Sequence, residues 1–244
     1  MLTSTCALAV ALTLQAGAAP PAPPPPDDRP IHEFFQNLGH DIVALPSRET
    51  AIILGSAIGG ALAARPADDD LRSWADAQGR SPYTAVGRTL GDGWIQGGAA
   101  LATYGVGLIS DQRGVTHIGS DLIRAQALNA VVTRGLKFAA GRRRPSGGPE
   151  SLPSGHASAS FTSAAVLDSH FGPKVGIPAY AVAGFIGWTR VRDNAHWLTD
   201  VIVGGAIGTV VGRTVARGHR RTTWAVIPTV GHDRVAIRVV RLGR

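Results

Sequence analysis

A chain of 244 residues, 44% hydrophobic and 17% charged, can bury one sizeable core; its single cysteine, Cys6, excludes an internal disulfide and any multi-cysteine metal site. Net charge is +7, and only Lys137 and Lys174 of the 24 cationic residues are lysine. Such an arginine excess suits bidentate recognition of phosphate or carboxylate, which makes phosphorylated substrates, nucleic acid and anionic membrane surfaces the partners to weigh.

Residues 1–19 form an apolar run ending in Ala16-Gly17-Ala18, a small-residue pattern that reads as a signal peptide. Residues 20–30 (PPAPPPPDDRP) are a Pro-rich linker with nothing to build a core. Over residues 31–221, apolar stretches punctuated by Gly and Pro predict helices at 47–64, 68–77, 94–110, 119–140, 155–169, 174–190 and 195–216. In 222–244 the period shortens. Residues 223–230 and 234–242, joined by Gly231-His232-Asp233, are expected to form a short β-hairpin packed on the helical domain. The fold class expected is therefore all-α, a helical bundle with a C-terminal hairpin. The uncharged runs are 11 to 18 residues long, short of the about 20 a membrane span needs. A compact bundle is expected, soluble or resting on a membrane surface.

Three segments carry chemistry. Lys137 and Arg144 are seven residues apart, close to two helical turns, and Pro145 is set to end the helix there. Two cations converging at a helix end make an anion site, although the run Arg142-Arg143-Arg144 alone reads equally well as a solvated basic surface. In Pro153-Ser154-Gly155-His156, Ser154 is a good helix N-cap, and the free N–H groups and dipole behind it attract phosphate. Gly155 allows close backbone approach, and His156 in the first turn is placed to donate a proton to a leaving oxygen. By itself this is a capped helix with a chance histidine. In Thr189-Arg190-VRDNA-His196-WLT-Asp200, His196 and Asp200 are spaced i, i+4 and expected on one helix face. A carboxylate there orients one ring nitrogen and leaves the other free to attack. Alone, this pair is a surface salt bridge.

Together, Lys-x6-Arg-Pro, Pro-Ser-Gly-His and Thr-Arg-x5-His-x3-Asp resemble the type 2 phosphatidic acid phosphatase / vanadium haloperoxidase superfamily in order and spacing, over about residues 119–216. Thr189 stands where that family usually has Ser. The resemblance implies an acid phosphatase/haloperoxidase-type bundle with a phosphate pocket at one end. It implies that Lys137, Arg144 and Arg190 hold phosphate oxygens, helped by Ser154 and the Gly155 N–H. It further implies that His196 attacks phosphorus to give a phosphohistidine, that Asp200 orients His196, and that His156 protonates the leaving alcohol and then activates water. No metal or other cofactor is implied, and the sequence offers no convincing cluster of metal ligands.

The remaining polar residues receive plainer readings. Trp188 and Trp197 are expected to pack the pocket wall. His32, His40, His117, Asp168, His170 and Asp193 lack supporting spacing, and Arg143 and Arg192 either reach the site or are solvated. Arg213, Arg217, Arg220 and Arg221 form a basic strip at a helix end that suits anionic lipid or solvent. The function expected is hydrolysis of phosphate monoesters, lipid phosphates first, in the cell envelope (periplasmic), either soluble or membrane-associated. A soluble exported acid phosphatase of broad specificity and a vanadium-dependent haloperoxidase are the alternatives within the resemblance. A non-catalytic basic protein binding nucleic acid has no use for the two histidines and Asp200, and nucleic acid is not an expected partner.

Overall fold

The computed structural model describes residues 33–79 and 81–217. The signal peptide, the linker and the C-terminal hairpin expected from the sequence lie outside the described residues. Those residues are helical: α1 (Phe34–Ala44), α2 (Arg48–Ala64), α3 (Ala67–Gln78), α4 (Pro82–Leu90), α5 (Gly93–Ile109), α6 (Arg113–Ala140), α7 (Gly155–Phe171), α8 (Pro173–Arg192) and α9 (Leu198–Arg217).

Local chemistry sets the helix ends. Ser47 caps α2 by accepting from the Thr50 N–H at 3.1 Å, and Asp92 caps α5 by accepting from the Trp94 N–H at 2.8 Å. Pro82 and Pro173 open α4 and α8, where a missing N–H costs nothing. Gly141 ends α6 in the left-handed region, φ 54°, its N–H bonded back to the Lys137 carbonyl. The helix therefore stops before Arg144 rather than at Pro145. Two helices went unpredicted. The short α4 spans too few turns for its period to register, and α1 places a charged residue, Asp41, on its buried side.

The central contact is between α7 and α9, and small residues make it. Gly204, Gly208 and Gly212 recur every fourth residue along one face of α9. A Cβ at any of them would come within 3 Å of the backbone of Ser154, Ser158 or Thr162 on α7. The two backbones thus touch along three successive turns, as small-xxx-small helix pairs do. Around this contact pack Leu122, Ala125 and Leu128 of α6, Val166 of α7, and Ile207, Val211 and Val215 of α9. Arg124 and Asp121, both fully buried on α6, form an ion pair, and Arg124 also holds Asp41 of α1 at 2.9 Å.

Large apolar side chains face outward instead. Trp94 and Ile109, at the two ends of α5, are each 90% exposed, and Phe138 is 87% exposed. Among the described residues one helix, α9, is by itself long and apolar enough to cross a membrane, and it is mostly buried. Helices α1 and α2 pass the same test only as a pair, bent by 65°.

Candidate active site

Asp200 is the anchor. It is fully buried in the first turn of α9. Its carboxylate accepts from the Ser151 hydroxyl, from the Trp197 N–H at 3.0 Å and from Arg142 Nη1 at 2.7 Å. Burial pushes this carboxyl up, but the neighbouring His196, hydrogen bonds from Ser151 and the Trp197 N–H, and the charge of Arg142 bring it below the ordinary carboxylate value. Its main-chain carbonyl accepts the Ser154 N–H at 3.0 Å, which joins the start of α7 to the start of α9. Asp68 of α3 braces the same corner, accepting from the Thr199 N–H and hydroxyl and from Arg142 Nη2.

His196 lies in the loop between α8 and α9, not on the helix expected over 195–216. The i, i+4 relation survives because that loop is wound tight. Asn194 takes a positive φ of 51°, and the Ala195 and His196 N–H groups both return to the Arg190 carbonyl. His196 is buried, with Nδ1 3.7 Å from Asp200 Oδ2. That is a few tenths of an ångström longer than a hydrogen bond, a gap that sites awaiting substrate commonly show. Burial holds the His196 imidazole below its ordinary value; the Asp200 carboxylate opposes this, and the charges of Lys137 and Arg144 reinforce it.

The cations come from three places. Lys137, in the last turn of α6, is buried and donates to the Glu150 carbonyl. Its Cε would lie 3.8 Å from a Cβ built on Gly155, so the end of α6 faces the start of α7. Burial, then the neighbouring Arg144, lowers Lys137 to about 8. Arg144 is held in the loop after α6 by its Nε bond to the Pro149 carbonyl, at 3.0 Å. Arg190, in the last turn of α8, is fixed through Nη2 to Asp193 at 3.1 Å. The charge of Arg144 depresses Lys137, Arg190 and His196 alike, so all four groups share one neighbourhood.

His156, in the first turn of α7, joins them. Burial comes first, then the charges of Arg190 and His196; together they lower it to about 4, against smaller opposition from Asp92 and the Arg88 main chain. Its Nε2 is buried without a hydrogen-bond partner among the described residues, as are Arg190 Nε and Nη1. Buried polar atoms rarely stay unpaired in a finished structure. Three such atoms, two of them on Arg190, with Lys137 and Arg144 in the same neighbourhood, suit a tetrahedral anion.

The structure thus brings Lys137, Arg144, Arg190, His156, His196 and Asp200 to one end of the bundle, with Ser154 and Gly155 beside them. Ser154 is fully buried, and its hydroxyl caps α7 by accepting from the Ala157 N–H. Thr189 is fully buried too: its hydroxyl donates to the Ile186 carbonyl, and it packs against Gly87 of α4, where a Cβ would collide with it. Trp197 donates to the Arg143 carbonyl and lies under the Arg142 guanidinium, so it is wall. Arg192 turns away and holds the carbonyls that end α3. Sequence reasoning missed Arg142 and Ser151, which hold Asp200. The three-arginine run contained Arg142 but gave no means of telling which arginine faces inward, and Ser151 carried no signal.

A helical bundle that gathers two imidazoles, a buried carboxylate and three cations at one end offers the donors and charge to hold an oxyanion. The PAP2 superfamily sequence profile matches residues 144–224. The lipid A 1-phosphatase of Porphyromonas gingivalis is 36% identical over 97 residues, 38% of this chain. The chain spans only 22% of the length of that curated relative. Two crystal structures share the fold. LpxE of Aquifex aeolicus aligns with TM-score 0.51 and 23% identity over 61% of this chain and 93% of its own. A transmembrane PAP2-type phosphatidylglycerolphosphate phosphatase of Bacillus subtilis aligns with TM-score 0.56 and 18% identity over 79% and 96%.

Proposed function

We propose that the chain is a phosphatase that hydrolyses phosphate monoesters of lipids through a phosphohistidine on His196. The observation that carries this reading is the set of unpaired buried nitrogens, His156 Nε2 and Arg190 Nε and Nη1, in the same neighbourhood as Lys137, Arg144 and His196. Lys137, Arg144 and Arg190 bind the non-bridging oxygens and stabilise the charge that spreads over them as phosphorus is transferred. His196 Nε2 attacks phosphorus while the bond to the leaving oxygen breaks, and Asp200 stabilises the ring as it becomes positive. His156 gives its proton to the leaving oxygen, then takes one from the water that cleaves the N–P bond. The charges of Lys137, Arg144 and Arg190 disfavour a metal ion beside them, and the phosphoryl chemistry is assigned to the side chains.

The lowered value of His156 shapes the first step. In the empty site it is neutral above about pH 4. A bound phosphate dianion reverses the surrounding positive field, so substrate binding itself stabilises the proton that His156 delivers. A lipid as substrate is supported by the outward apolar side chains, above all along α5, which suit a membrane in contact with the bundle. The lipid A 1-phosphatase and the phosphatidylglycerolphosphate phosphatase to which the chain is similar both act on lipid phosphates, which supports the same reading.

The test compares the purified chain on a panel of micellar lipid phosphates and on a water-soluble aryl phosphate. Hydrolysis of a lipid phosphate with higher kcat/KM than the aryl ester, lost by at least a thousandfold in His196→Ala, is the expected result. Retained turnover in His196→Ala contradicts the nucleophile. Preference for the soluble ester supports instead a broad-specificity acid phosphatase.

A further inference from the structure

The other end of the α6–α7 pair holds a cluster that phosphate chemistry does not use. His117 and Asp121 are i, i+4 neighbours near the start of α6, and His170 is in the last turn of α7. Asp121 lies 16 residues before Lys137 on the same helix, about 24 Å along its axis. In the sequence His117 and His170 have no supporting spacing. Folding brings all three together.

Asp121 Oδ2 lies 2.9 Å from His170 Nε2 and 3.5 Å from His117 Nε2. The three ligand atoms are all within 4.8 Å of one another, and the two rings stand edge to face with centroids 5.3 Å apart. With bonds of about 2.0–2.1 Å, ligand atoms on a tetrahedral zinc ion stand about 3.3 Å apart, so the two measured edges bracket that spacing. The carboxylate is also oriented. Its other oxygen, Oδ1, accepts from Arg124 Nη2 at 2.6 Å, and Arg124 is itself held by Ser120 and Asp41. Outer contacts of this kind fix a ligand's direction at metal sites. Asp121 is fully buried, whereas each imidazole keeps 18% of its side-chain surface, an approach from outside.

We propose that His117, Asp121 and His170 bind a divalent transition-metal ion of the zinc class, with a fourth position left for water. The ion pins the start of α6 to the end of α7, the two helices whose opposite ends carry Lys137 and His156. Its part is structural and does not depend on the phosphatase reading.

The chain is purified without a polyhistidine tag, stripped with chelator, and titrated with Zn2+ and with Co2+. The expected result is one equivalent bound per chain, a Co2+ visible spectrum of tetrahedral intensity, and a thermal midpoint several degrees higher with Zn2+. His170→Asn and His117→Asn should each lower the affinity at least a hundredfold and abolish the midpoint shift. Both should keep the metal-free fold by circular dichroism. Failure of the wild-type chain to bind either ion at micromolar concentration overturns the proposal. So does binding that persists in the His117→Asn/His170→Asn double variant. A pair of imidazoles that merely share a proton with Asp121 gives the first of these outcomes.

Discussion

Lys137 is the residue whose environment makes the sharpest statement about pH. Burial and Arg144 bring it to about 8, so its positive charge is present below that value and lost as pH rises through it. A phosphate held partly by that charge binds less well once it is gone. The expected profile of kcat/KM for an aryl phosphate therefore falls above about pH 8. In Lys137→Arg, whose guanidinium stays charged throughout, the fall should move beyond pH 9, whatever the absolute rate. An unchanged alkaline limb would remove Lys137 from the phosphate site. The motif residues were legible in the sequence because their types and spacings are themselves the chemistry. The residues that hold them were not. Arg142, Ser151 and Asp68 reach Asp200 and Thr199 from distant segments, and nothing in their local sequence marks them.

The α7–α9 contact sets the distance between the segments that carry His156 and Asp200. A methyl group on Gly208 would strike the Ser158 carbonyl, whereas one on Gly184 of α8 meets nothing within 4 Å. Gly208→Ala should destabilise the fold by about 1–3 kcal/mol through overpacking and cut kcat at least tenfold as α7 is pushed off α9. Gly184→Ala should leave activity intact and stabilise slightly, since alanine is the better helix former. Thermal melts and steady-state kinetics on the pair read both effects; equal behaviour of the two variants would deny the contact its role. Seven of the helices were legible from apolar stretches broken by Gly and Pro, with ends within a few residues except α6, which begins six residues earlier than expected. The start of α9 was misplaced for a local reason: the tight turn at Asn194 keeps His196 near Asp200 although α9 begins only at Leu198.

Viewed whole, the molecule reverses the usual arrangement of side-chain sizes. Alanine makes up much of the buried apolar set, including Ala125, Ala157 and Ala165, together with buried Ser, Thr and Gly, while Trp, Phe, Ile and Leu stand exposed on α2, α5, α6 and α8. Close helix packing through small residues with large apolar ones outward is the pattern expected where lipid is the solvent. Hydropathy along the chain hid this, because glycine and alanine in each helix dilute its average and keep the uncharged runs short. We expect the protein to sediment with membranes, to resist extraction by high salt and alkaline carbonate, and to need detergent for release. Recovery in the soluble fraction without detergent would contradict the outward apolar surface as a lipid contact.

The convergence of His156, His196 and the three cations on one phosphoryl group is tested most directly by trapping the intermediate. His156→Ala cannot activate the water that releases phosphate, yet an aryl phosphate needs little help to leave. Rapid mixing of this variant with a p-nitrophenyl phosphate should give a burst of one phenolate per chain, with an acid-labile phosphate located on His196 by mass spectrometry. No burst, or phosphate on another residue, would contradict the site described for this chain.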